Sequence, residues 1–148
     1  MKVHHVTVSA FSTPEGLEGL RNVLKRLLPE EAQVEGRYIE PETDGGVFTK
    51  ELYEVRCRLT KQADMKEFLK KVFGRLDEYD RGMVLKSLPD LIDDECNMYL
   101  RLSKAEASDG NIVLETKDPI HITIKLAAYP ARKENAATAA KEMVDEML

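Results

Sequence analysis

The chain has 148 residues, 43% of them hydrophobic and 33% charged, which fits a soluble globular protein. Its length allows one domain with a real core and no need of a disulfide or metal scaffold. With 27 acidic against 22 basic side chains the net charge is −5, which argues against indiscriminate binding to a polyanion.

Residues 2–11 alternate, Val6, Val8 and Ala10 on one side and His5, Thr7 and Ser9 on the other, so a half-buried strand is expected. This start, "MKVHHVTVSAF", resembles a strand rather than a signal peptide. "STPEG" then opens a helix, with Thr13 as N-cap and Pro14 in the first helical position. Leu17, Leu20, Leu24, Leu27 and Leu28 give that helix its buried face, and Pro29 stops it. A weaker strand covers about residues 31–39, and "PETDGG" at residues 41–46 is turn chemistry.

Residues 49–60 alternate clearly, with Tyr53, Val55, Cys57 and Leu59 facing one way and Glu54, Arg56 and Arg58 the other. A second helix begins near Asp64 with Met65, Phe68, Leu69, Val72 and Leu76 as its apolar stripe, followed by an acidic helical region over 78–95 interrupted near Pro89. Residues 96–103 form a strand with Met98, Leu100 and Leu102 inward, and "ASDGN" reads as a turn before Ile112 and Leu114. The clearest strand, 119–127, sets Ile120, Ile122, Ile124 and Leu126 against His121, Thr123 and Lys125. After "AYPARKE" a last helix buries Ala136, Ala140, Met143, Val144 and Met147. One-sided strands interleaved with helices define an α+β two-layer sandwich, its mixed or antiparallel sheet carrying helices on one face, as a single domain over 1–148.

Charge is segregated along the chain. Residues 56–75 carry seven basic side chains against two acidic, whereas 77–95 carry seven acidic against two basic. The outward sides of the strands collect His5, Thr7, Ser9, Arg37, Arg56, Arg58, Tyr99, Arg101, His121, Thr123 and Lys125, along with Glu35, Glu54 and Glu115. Guanidinium groups beside an aromatic ring hold phosphates and stack a base. The same residue types also suit a merely solvated sheet face, and Lys66, Lys70 and Lys71 equally suit the negative end of a helix dipole.

Signals for catalysis are thin. His4 and His5 are adjacent in a strand and face opposite ways, and His121 could join only His5, so no histidine metal site is expected. "DLIDDE" lacks the spacing of a calcium loop. The two cysteines, Cys57 and Cys96, lie in apolar strand patterns and read as buried reduced thiols of a cytoplasmic protein. No run of about 18 apolar residues is present to cross a membrane, and no phosphate-binding glycine loop or nucleophile elbow appears. No catalytic residue, metal or cofactor is assigned.

Three segments carry a resemblance: "VHHVTVSAFSTPEGLEGLRNVLKRLLP", "YEVRCRLTKQADMKEFLKKV" and "MYLRLSKAEASDGNIVLETKDPIHITIKLAAYPARKENA". Together they resemble a family of small archaeal proteins described as predicted RNA-binding proteins and exosome subunits. That family is similar in fold to the large-subunit ribosomal protein that binds 5S RNA. In this chain the longer "YIEPETDGGVF" stands where family members carry a compact Gly-Asn-Pro turn, so contacts of that turn do not transfer. The resemblance implies a non-enzymatic, cytoplasmic RNA-binding protein of RNA processing or degradation. Expected partners are RNA and exosome or ribosomal proteins, with a homodimer of the chain left open. Taken with the charge pattern, it assigns phosphate contacts to Arg56, Arg58 and Arg101, stacking to Tyr99, and further basic contacts to Lys61, Lys66, Lys104 and Lys125. An adaptor that binds protein through the acidic segment or the open face is the alternative. A hydrolase or nuclease using the acidic cluster is the third reading.

Overall fold

The period-two segments become strands of one sheet in the computed structural model, which describes residues 1–39, 43–44, 47–48 and 51–148. In chain order the elements are β1 (Val3–Ser12), α1 (Leu17–Leu27), β2 (Glu35–Ile39), β3 (Thr43–Asp44), β4 (Val47–Phe48), β5 (Leu52–Leu59) and α2 (Gln62–Arg75). They continue with α3 (Glu78–Lys86), α4 (Leu88–Leu91), β6 (Asn97–Ser103), α5 (Lys104–Ser108), β7 (Pro119–Leu126) and α6 (Lys133–Met147). The five long strands run in the order β2-β5-β1-β7-β6, every neighbouring pair antiparallel. β3 and β4 pair separately, Thr43 opposite Phe48 and Asp44 opposite Val47. The expected turn at 41–46 falls largely outside the described residues.

Each strand of the sheet's centre is apolar on one side only, and that side is buried. Val6, Val8, Ala10, Val55, Cys57, Leu59, Met98, Leu100, Leu102, Ile120, Ile122 and Ile124 pack against Leu24, Leu27, Met65, Phe68, Leu69, Val72, Ala140, Met143 and Val144. This is the two-layer α+β sandwich expected from the alternation, with the sheet antiparallel throughout. A register shift between Val3 and His5 inserts an extra residue. The bulge lets Val3 and Val6 both point into the core although strict alternation would oppose them.

Local chemistry sets the ends of the elements. Thr13 does not cap α1 with its side chain; instead its carbonyl accepts from Gly16 N at 3.1 Å, closing a 3-10 turn over Pro14–Gly16 before the helix proper. Leu28 leaves the helix in extended backbone, as a residue before proline must. Asp77 caps α3 by accepting from Asp80 N at 2.7 Å. One expectation is corrected. The turn expected at "ASDGN", residues 107–111, begins later, because Lys104–Ser108 form α5, where the Ser103 hydroxyl accepts from Glu106 N at 3.1 Å and starts a helical turn. Ile112 and Leu114 belong to no strand, and Leu114 makes only an isolated bridge to Leu102.

Candidate nucleic-acid interface

The sheet side away from the helices carries the polar half of each alternation. Register arranges these side chains in rows across the strands. One row runs Glu35, Arg56, Ser9, His121, Arg101; the next runs Arg58, Thr7, Thr123, Tyr99; a third sets His5 beside Lys125 and Asn97. Arg56 and Arg58 are two residues apart on β5, about 7 Å along the strand, and Arg101 lies three strand spacings away, about 14 Å. These guanidinium groups are exposed, and among the described residues none of the three has a carboxylate within ion-pair reach.

Other cations are already engaged. Arg37 pairs with Glu54 at 3.6 Å, and Lys125 Nζ donates to the Glu95 carbonyl while its stem lies on the open face. Lys104 Nζ donates to the Phe11 carbonyl and to the Asp118 carboxylate, 2.9 Å from its Oδ1. Lys66 is on α2, in the helix layer, 3.7 Å from Glu146 of α6. Lys61 is exposed at the N-cap of α2, where β5 ends. The structure thus brings Arg56, Arg58, Tyr99, Arg101 and Lys125 onto one face. It sets Lys61 at the end of β5, holds Lys104 at the far end of the face by internal bonds, and separates Lys66 from the rest.

Tyr99 is held in place. Its hydroxyl donates to Asp93 Oδ2 at 2.6 Å, leaving the residue 43% exposed. Asp93 also accepts from Glu95 N and Asn97 N, both at 2.9 Å, and from Asn97 Nδ2 at 3.3 Å. Burial pushes the Asp93 carboxyl up, but hydrogen bonds from Tyr99 and Asn97 outweigh it and hold the group below the usual carboxylate range. The same hydrogen bond, with burial second, pushes the Tyr99 phenol up, so the pair is a phenol donating to a carboxylate. The donors to Asp93 close the turn that places Cys96 in the left-handed region at φ 65° and feeds the chain into β6. The last residues of the acidic segment, Asp93 to Glu95, buttress the rim of the face at Tyr99 and Lys125.

The histidines sit among cations. Arg58 Nη2 donates to His5 Nδ1 at 3.1 Å. Burial, then Arg58 and Lys125, lower the His5 pKa; burial, then Arg101 and Lys104, lower that of His121 against the opposing pull of Asp118 and Glu54. Although β1 and β7 are neighbours, His121 lies opposite Ser9, four residues along from His5, or about 13 Å. The two rings are too far apart to share an ion.

One contributor to this face was passed over in sequence. Phe11 continues the outward series His5, Thr7, Ser9, and its ring meets that of His121 edge-on at 6.3 Å between centroids. The same alternation that assigned Ser9 carries the signal.

An antiparallel sheet with helices behind it and a guanidinium-rich, aromatic front is a surface suited to a nucleic-acid backbone. The family model described as RNA binding matches residues 5–126, and the chain belongs to that family. It is 28% identical, over 150 residues spanning 98% of this chain and 96% of the relative, to the RNA-binding protein PAB1135 of Pyrococcus abyssi (strain GE5 / Orsay). Among solved structures it is similar to protein AF2318 from Archaeglobus fulgidus, with a TM-score of 0.82 and 25% identity over 96% of this chain and 99% of that one. Mth689 from Methanothermobacter thermautotrophicus aligns with a TM-score of 0.77 and 26% identity over 97% of this chain and 99% of that one. Both structures are described under the family designation DUF54.

Proposed function

We propose that this protein binds RNA through the open face of its sheet, without catalysing a reaction on it. Arg56, Arg58 and Arg101 contact phosphates, and Tyr99 offers its ring to a base. Lys61 and Lys125 extend the positive field, while Lys104 and Lys66 serve the scaffold. The observation that carries this reading is the set of three exposed guanidinium groups on one face with no carboxylate partner among the described residues. Three exposed guanidinium groups gathered on one face of a chain of net charge −5 form a local positive patch that can meet an external anion. Membership of the RNA-binding family supports RNA as that anion. A place in RNA processing or degradation, beside exosome proteins, is the cellular role the reading favours.

The test is fluorescence anisotropy of single-stranded and hairpin RNAs with the protein and with its R56E/R58E variant at about 0.1 M salt, where phosphate contacts dominate. Loss of at least tenfold in affinity, with an unchanged circular dichroism spectrum, is expected. Equal affinity of variant and parent would remove the open face as the RNA site. Absence of any RNA binding by the parent would favour a protein-binding adaptor.

A further inference from the structure

Behind the β6 edge lies an open groove of about 460 Å³, outside the basic face but sharing Tyr99 and Arg101 with it. Its walls are mainly apolar, with Met83, Leu91 and Leu114 among them. Residues 97, 101 and 103 direct their backbone groups outward from the sheet. The Asn97 carbonyl accepts from Asp93 N at 3.0 Å, the Arg101 carbonyl accepts from Glu115 N at 3.0 Å, and Ser103 N donates to the Val113 carbonyl at 2.8 Å. Alternation along the strand sends the backbone groups of Tyr99 the same way.

Two braces therefore cover the ends of this edge: the bridge of Ile92 to Met98 and the bridge of Leu114 to Leu102. Between them, alternation points the Tyr99 carbonyl and the Arg101 amide off the strand edge toward the groove both residues line, and neither has a partner among the described residues. The braces leave too little edge for an added strand. One acceptor and one donor, two residues apart above an apolar wall, instead match the hydrogen-bonding edge of a flat heterocycle, on which a donor and an acceptor adjoin.

We propose that this groove receives one unstacked nucleobase of the bound RNA, a purine, read by the Tyr99 carbonyl and the Arg101 amide. The inference rests on the RNA-binding reading and adds a base-selective site to it. Continuity carries it: Arg101 presents its backbone to the groove and its guanidinium to the open face, so a nucleotide held there keeps its phosphate on the basic side. The rim carboxylates of Asp90 and Glu115 would repel a phosphate within the groove but not a neutral base. A purine covers more of the apolar wall than a pyrimidine and still fits the volume.

The experiment uses the full chain, nitrogen-15 labelled, and heptamers of uridine with A, G, C or U at the central position. A central purine should tighten binding at least fivefold over the all-uridine heptamer and shift the Arg101 amide resonance. Met83 is half-exposed, so M83W fills the groove from its surface side; it should abolish the purine preference while changing affinity for the all-uridine heptamer less than twofold. Heptamers bound equally, with the Arg101 amide unmoved, would overturn the base site and leave the open face standing. Failure of every heptamer to bind while a hairpin RNA still binds would overturn the base site alone, and failure of the hairpin as well would overturn both.

Discussion

At the scale of single residues, the hydrogen bonds on Asp93 tie the fold to the face. Replacing it with alanine strips the acceptor from Tyr99 OH, Glu95 N and Asn97 N together, and should cost about 2 kcal/mol in chemical unfolding. Tyr99→Phe removes only one of these bonds and should cost about 1 kcal/mol while leaving RNA affinity near parental, since the ring remains. Tyr99→Ala should weaken binding by about 1–3 kcal/mol if the ring stacks a base. A phenylalanine variant as weak as the alanine variant would assign the hydroxyl, not the ring, to RNA.

The histidines make a residue-scale prediction in pH. Their pKa values are lowered in the folded protein, so the unfolded chain binds protons first and stability falls as pH drops below the ordinary histidine value of about 6.5. A phosphate laid over Arg58 and Arg101 reverses that disadvantage, so RNA binding should take up protons. Affinity should then rise between pH 7.5 and 5.5 in the parent and stay flatter in H5N/H121N. A parent profile as flat as that of the double variant would show that neither ring lies under a phosphate.

At the scale of elements, short side-chain bonds decide where helices start and how they join. Ser103→Ala removes the cap of the five-residue α5 and should cost about 1 kcal/mol, read as a lower midpoint in thermal unfolding. An unchanged midpoint would mean that α5 owes nothing to this cap. Arg81 joins α2 to α3 by donating through Nη2 to the carbonyls of Leu76 at 3.2 Å and Phe73 at 3.4 Å. These two cases also mark what a linear reading reaches. Strands with strict alternation, such as Ile120 to Leu126, were legible because period two is a property of the residues themselves. α5 was not, because a single turn has no periodicity and depends on a hydroxyl at its start. The same limit applies to the site. Arg56, Arg58, Tyr99 and Arg101 shared a predicted face through alternation, but only strand order and register set their spacing. The bonds of Lys104 to Phe11 and Asp118 span separate strands and loops, which no local pattern reports.

At the scale of the whole molecule, an acidic protein gains a basic face through architecture rather than composition. Strand alternation gathers Arg56, Arg58 and Arg101 on the sheet's open side, while Lys66 of the helix layer lies against Glu146. The claim that these three arginines neutralise RNA phosphates has a quantitative signature in salt dependence. For a single strand, each neutralised phosphate contributes about 0.7 to the slope of log affinity against log salt. The decisive measurement is that slope for the parent and for R56Q/R58Q/R101Q on one single-stranded RNA. The structure predicts a slope shallower by about 2 in the triple variant. Parallel slopes would contradict the open face as the surface that meets RNA.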